Sequence, residues 1–151
     1  MVAAQPRSTD KITLLIVDDD DIDARVIQRG LKKHQLDYPT VVARDGIEAL
    51  EFLRGRQTAE LDDPLLVLLD LNMPRMNGHE FLREIRNDPD LCRLLVFVLT
   101  TSDADRDIDA AYQHNVAGYL LKQSAGPNFA DHAKLFQSYI QQVQFPESTV
   151  R

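Results

Sequence analysis

Apolar residues along this chain fall into two rhythms. Short, largely apolar runs lie at 12–17, 40–43, 65–69, 94–99 and 119–122, each closed by polar or charged residues. Runs of this length, without alternation, predict strands buried in a sheet. Between them the apolar residues recur every three or four positions, the spacing of one helix face. The first such stretch has Ile22, Val26, Ile27 and Leu31, with Asp21 as its expected cap and Asp23 in its first turn. The second, 46–53, has Ile47, Leu50 and Leu53, and the third, 78–87, has Phe81, Leu82 and Ile85. Asp88–Pro89 stops the third, because the residue before proline avoids the helical region. A fourth follows Ser102, its expected cap, with Ile108, Ala111 and Tyr112, and closes at Asn115 and Gly118. The last, 128–145, carries Phe129, Ala133, Phe136, Ile140 and Val143 on one stripe. Residues 1–10 form a flexible lead-in, 54–63 a polar loop with at most one helical turn, and 146–151 a short tail.

Strand and helix alternate five times, which predicts an α/β domain over 11–145. Its parallel sheet is doubly wound, with right-handed crossovers and helices on both faces. All strands of such a sheet end on one rim, where ligands bind. The rim residues are Asp18 and Asp19 after the first strand, Asp70 after the third, Thr100 after the fourth and Lys122 after the fifth. Three carboxylates that close together repel one another, and desolvation raises the cost of keeping them charged. A divalent cation resolves this, and an all-oxygen site with room for water or phosphate suits Mg²⁺ better than zinc. With a lysine and a hydroxyl beside it, such a site can neutralise a phosphoryl group in transfer. Asp70 is then the nucleophile, Lys122 a point charge on a phosphoryl oxygen and Thr100 a hydrogen-bond donor. Asp20 and Asp21 are read as cap and solvated charge.

Composition narrows the partners. A net charge of −7 without a basic block excludes non-specific nucleic-acid binding. No run of about 18 apolar residues is available for a membrane span, and the first ten residues lack a secretory h-region. Cys92 is the only cysteine, read as a small buried residue, and a reducing cytoplasm fits. His34, His79, His114 and His132 are dispersed and lie on no shared strand end, so they predict no metal site or phosphohistidine relay.

The motifs together are more specific than any alone. Val17–Asp18–Asp19, Leu68 to Pro74 around Asp70, Asn77–Gly78, Leu99–Thr100 and Gly118 to Lys122 resemble the receiver domain of bacterial two-component response regulators, over nearly the whole chain. The resemblance implies a flavodoxin-like five-stranded sheet of order 2-1-3-4-5. It implies phosphorylation of Asp70 by a sensor histidine kinase, with Mg²⁺ held by Asp18, Asp19, Asp70 and the backbone carbonyl of Asn72. Thr100 and Tyr119 resemble the family's switch pair, in which the hydroxyl moves toward the phosphate and the ring turns inward behind it. Lys122 resembles the lysine that grips the phosphoryl group. Such a protein is a signalling phosphoacceptor that assists its own phosphorylation and dephosphorylation, and not a turnover enzyme. In one departure, Gln123 stands where the family has proline, so the 122–127 loop is expected to be trans and reshaped. The 42–46 segment, the polar insertion before Asp70, Leu99 to Ser102 and the long last helix are similar to the small stand-alone receivers that serve bacterial phytochromes.

Other readings compete. A pseudo-receiver that only binds partners would explain Gln123. A haloacid-dehalogenase-type phosphatase also uses a strand-end aspartate, but needs a second aspartate where Asn72 stands, and its metal acids come late in the chain. A flavin mononucleotide binder needs a phosphate-cradling loop, and four consecutive aspartates after the first strand repel phosphate. No output module is expected after the last helix, so the signal would pass through a surface or to a histidine phosphotransfer protein. Leu135 and Tyr139 give that helix a second apolar face, with Phe145 beyond, which predicts a two-fold dimer or a face covered by the chain's own tail.

Overall fold

Two strands without an exposed residue, β1 (Thr13–Val17) and β3 (Leu65–Leu69), run side by side through the middle of the protein. Flanking them are β2 (Thr40–Ala43), β4 (Leu95–Thr100) and β5 (Gly118–Leu121), all parallel, in the order β2-β1-β3-β4-β5. The computed structural model describes residues 12–57, 64–146 and 149–150. The 1–10 lead-in, residues 58–63 of the polar loop and part of the 146–151 tail lie outside the described residues.

Alternation of side chains divides the core into two layers. Leu15, Val17, Val67, Leu69, Val96 and Val98 face α2 (Gly46–Gln57), α3 (Gly78–Asn87) and α4 (Asp105–Gln113). Leu14, Ile16, Leu66, Leu68, Phe97 and Leu99 face α1 (Asp21–Lys33) and α5 (Ala130–Gln142). Complete burial of so many Leu, Ile and Val side chains, each contributing roughly 1.5–3 kcal/mol, is what holds the sheet.

Several local expectations are corrected. Asp20, not Asp21, caps α1, accepting from the Ile22 and Asp23 amides. That helix buries Ala24, Ile27, Gly30 and Leu31 and leaves Ile22 and Val26 exposed. It packs close because Gly30 has no side chain, and a Cβ there would fall 2.3 Å from Phe129. One expectation holds: α2 continues to Gln57, and 54–57 supply the one helical turn allowed for in the polar loop. α4 begins after Ala104 without a side-chain cap, and Ser102 is used elsewhere. Tyr112 is exposed. Cys92 is also exposed, because Leu91 and Leu94 take the core positions in its turn.

The last helix starts two residues later than expected. Before it the chain makes tight turns at Lys122–Ser124 and Pro127–Phe129. No cis peptide occurs among the described residues. Asn128 and Phe129 both have positive φ, and the Phe129 ring is buried against Gly30 and Phe136. Of the expected second face of α5, Leu135 is exposed, while Tyr139 packs edge-on against Phe97 and beside the buried Phe145. Thr149 anchors the end of the chain beneath β3, accepting from the Leu65 amide at 2.8 Å.

Candidate functional site

Strand register assembles the site. Val17 pairs with Leu69, so Asp18 and Asp70 leave adjacent central strands at the same level. The Asp18 amide is tied to the Ala43 carbonyl and the Asp70 amide to the Val17 carbonyl, both at 2.9 Å. Thr100 pairs with Leu121, which brings Lys122 to the rim just beyond Thr100. The loop after Asp70 is drawn back over the acceptor: the Asn72 amide faces Asp70 Oδ1 at 3.5 Å, and the Gly78 amide donates to the Leu71 carbonyl at 2.9 Å. Gly78 opens α3 so near this loop that a Cβ would sit 2.5 Å from the Asp70 carbonyl oxygen. Asn77 caps the same helix in a capping box with Glu80.

Each oxygen of the Asp70 carboxylate has a partner. The Thr100 hydroxyl donates to Oδ1 at 2.8 Å, and the Lys122 ammonium lies 3.1 Å from Oδ2. Lys122 also reaches Asp18 and Asp23, both at 2.8 Å. One ammonium is thus shared among three carboxylates. Burial pushes the Asp18 carboxyl up to about 6, even though hydrogen bonds from Lys122 and the Asp20 amide favour its charged form. Burial opposes the charge of Lys122 as well, but hydrogen bonds to Asp18 and Asp23 and the charge of Asp70 hold its pKa above the ordinary lysine range.

Carboxylate oxygens of Asp18, Asp19 and Asp70 lie within 4.8 Å of one another. These donors fit a hard cation. All are oxygens, two of the three residues are buried, and the single Lys122 ammonium leaves the acids around it with excess negative charge.

The five rim residues expected from the strand ends (Asp18, Asp19, Asp70, Thr100 and Lys122) come together here, and Asn72, named by the resemblance alone, has its amide 3.5 Å from Asp70 Oδ1. Tyr119 stands one strand over, its hydroxyl donating to the Ser102 carbonyl at 2.8 Å. Asp23 was read only as a helix-dipole charge, yet it is a partner of Lys122. Its sole advance signal was its place in the first turn after the acidic run. Gln123 donates from its side chain to the Thr101 carbonyl at 3.3 Å, so the residue in proline's place braces the loop after β4.

Comparison with known proteins agrees with this geometry. The family model for the response regulator receiver domain matches residues 14–134. Response regulator Rcp1 of Synechocystis sp. is 40% identical over 125 residues, which cover 82% of this chain and 83% of the relative. The crystal structure of its Mn²⁺-bound form superposes with a TM-score of 0.73 at 36% identity, over 89% of this chain and 98% of that one. The phosphorylated cyanobacterial phytochrome response regulator RcpA superposes with a TM-score of 0.74 at 32% identity, over 88% and 96%. A family match over most of the chain, on a sheet of this order with these acids at its rim, leads to one conclusion: the chain belongs to the response regulator receiver family.

Proposed function

We propose that the chain is a response regulator, its receiver unit spanning 11–145, that accepts a phosphoryl group on Asp70 from a sensor histidine kinase. The observation that carries this reading is the pair of donors on the Asp70 carboxylate, Thr100 on one oxygen and Lys122 on the other. A carboxylate oxygen of Asp70 attacks the phosphorus of the kinase's phosphohistidine. The P–N bond breaks, its electron pair returns to the imidazole, and Asp70 becomes an acyl phosphate. Lys122 follows the transferred charge and Thr100 donates to a phosphoryl oxygen. Mg²⁺, held by Asp18, Asp19, Asp70 and the Asn72 carbonyl, supplies further positive charge at the phosphoryl oxygens when bound. The same groups assist hydrolysis of the acyl phosphate. With Tyr119 completing the switch pair, the added charge biases the loop after β4 and changes an interaction surface.

Similarity to RcpA supports a phytochrome as the kinase. Among the described residues no helix is long and apolar enough to cross a membrane, in keeping with a cytoplasmic site of action. Exposed Leu135, beside Ala117, Lys134 and Ser138 at the β5 edge, favours a homodimer through the last helix. Sedimentation that finds only monomer at high concentration, phosphorylated or not, removes the dimer. The output then passes through the switch surface to a partner, which includes a histidine phosphotransfer protein.

The test is incubation with acetyl phosphate and Mg²⁺, followed by intact-mass measurement of wild type and Asp70→Asn. One phosphoryl mass that requires Mg²⁺ and is absent from the variant is expected. Absence of both the adduct and Mg²⁺ binding would establish the pseudo-receiver reading instead.

A further inference from the structure

A second chain of polar contacts runs behind the acceptor site, and none of its hydrogen bonds is made to Asp70. Ser102, two residues after Thr100, is held from both sides. Its carbonyl accepts from the Tyr119 hydroxyl at 2.8 Å, and its own hydroxyl donates to Asp107 Oδ2 at 2.5 Å. The other oxygen of Asp107 faces His79 Nε2 at 3.0 Å. A carboxylate only accepts, so His79 donates from Nε2. Its Nδ1 is buried and has no hydrogen-bond partner among the described residues, leaving Asp107 as the anchor of the ring. Hydrogen bonds from Ser102 and His79 hold the Asp107 carboxyl below the usual carboxylate range. The series therefore starts at the head of α3, passes through the first turn of α4 and the loop after β4, and ends on β5.

The geometry points to His79 and Asp107 as positioning residues for phosphoryl transfer at Asp70. By fixing the Ser102 hydroxyl they hold the loop in the form that lets Tyr119 bond to its backbone and keeps the Thr100 hydroxyl on the acceptor carboxylate. This rests on Asp70 being the phosphoacceptor. Neither residue touches the reacting atoms. A tie that served only to pack α3 against α4 would need no serine reaching the switch loop, and the serine is the link that connects it to Tyr119.

The test measures the phosphorylation rate with saturating acetyl phosphate and Mg²⁺, the Mg²⁺ affinity and the urea midpoint for wild type, His79→Ala and His79→Gln. The alanine variant is expected to be slower by about tenfold, the effect of one charge-assisted hydrogen bond. Mg²⁺ affinity should not change, and glutamine, which can still donate to Asp107, should restore most of the rate. A wild-type rate in His79→Ala overturns the inference, as does a loss that glutamine does not restore and that follows the urea midpoint. A wild type that gains no phosphoryl mass overturns the Asp70 reading, and a separate measurement isolates the polar chain itself. In unphosphorylated protein labelled with 3-fluorotyrosine, and assigned with Tyr119→Phe, the Tyr119 fluorine resonance should move in His79→Ala. An unmoved resonance overturns the positioning role whatever the phosphorylation result.

Discussion

The two halves of the carboxyl rim are built in different ways. On the β1–β3 side, Asp18 and Asp70 follow directly from fully buried, paired strands, and their backbone amides are tied to neighbouring strands. Moving either would mean slipping the register of the sheet, which would turn its core side chains to the wrong face. On the β4–β5 side the loop after Thr100 is held by side chains: Gln123 on the Thr101 carbonyl, Tyr119 on the Ser102 carbonyl and Asp107 on the Ser102 hydroxyl. Each is a single hydrogen bond with a net value of about 1 kcal/mol. One half is a rigid seat for charge, and the other is a set of contacts small enough for a new phosphoryl group to rearrange.

Substitutions on the two sides should therefore have separable effects. The largest belongs to Lys122, which bridges them: Lys122→Ala should slow phosphorylation by acetyl phosphate on the order of 100-fold, measured by quenched-flow mass analysis. On the rigid side, Asp19→Asn should weaken Mg²⁺ binding about tenfold by calorimetry, because it removes one anionic ligand. It should leave the Lys122 ion pairs intact, since Asp19 takes no part in them. The raised pKa of Asp18 adds a pH dependence. Between the ordinary value of 3.8 and about 6, the folded chain keeps a proton on Asp18 that the unfolded chain releases. The metal-free protein should lose stability as pH rises through that interval, while Mg²⁺ affinity should gain up to about tenfold per pH unit and level off above it. The smallest effect belongs to the adjustable side: Gln123→Ala should slow phosphorylation by about twofold at unchanged Mg²⁺ affinity. A Mg²⁺ defect from Gln123→Ala would erase the distinction between the halves.

The same distinction explains what could be read in advance. Asp18, Asp70, Thr100 and Lys122 each end a strand, and a parallel sheet brings strand ends together whatever the rest of the chain does. The partnership of Asp23 with Lys122, 99 residues away, depends on how α1 packs against the chain after β5, which no local pattern encodes. His79 and Asp107 are 28 residues apart on different helices, and their meeting is a result of packing. The wrong face expected for α1 has a physical cause too. Helical spacing finds an apolar stripe, but Ala24 and Gly30 give almost no hydropathy signal although both are buried. At Gly30 the Phe129 side chain lies so close that nothing larger than glycine fits. Asp20 and Asp21 differ by one position in an unbroken acidic run, and only the backbone, extended at Asp20 and helical after it, distinguishes cap from first turn.

Lys122 has one more consequence. By lying among Asp18, Asp23 and Asp70 it gives the acidic pocket an internal counter-ion, present from the moment the chain is synthesised. The protein can then mature where magnesium is scarce, and an arriving ion exchanges with an ammonium already in place instead of entering a bare cluster of negative charge. On the proposed reading, the ion would then set readiness to receive a signal, while the folding of the protein would not depend on it.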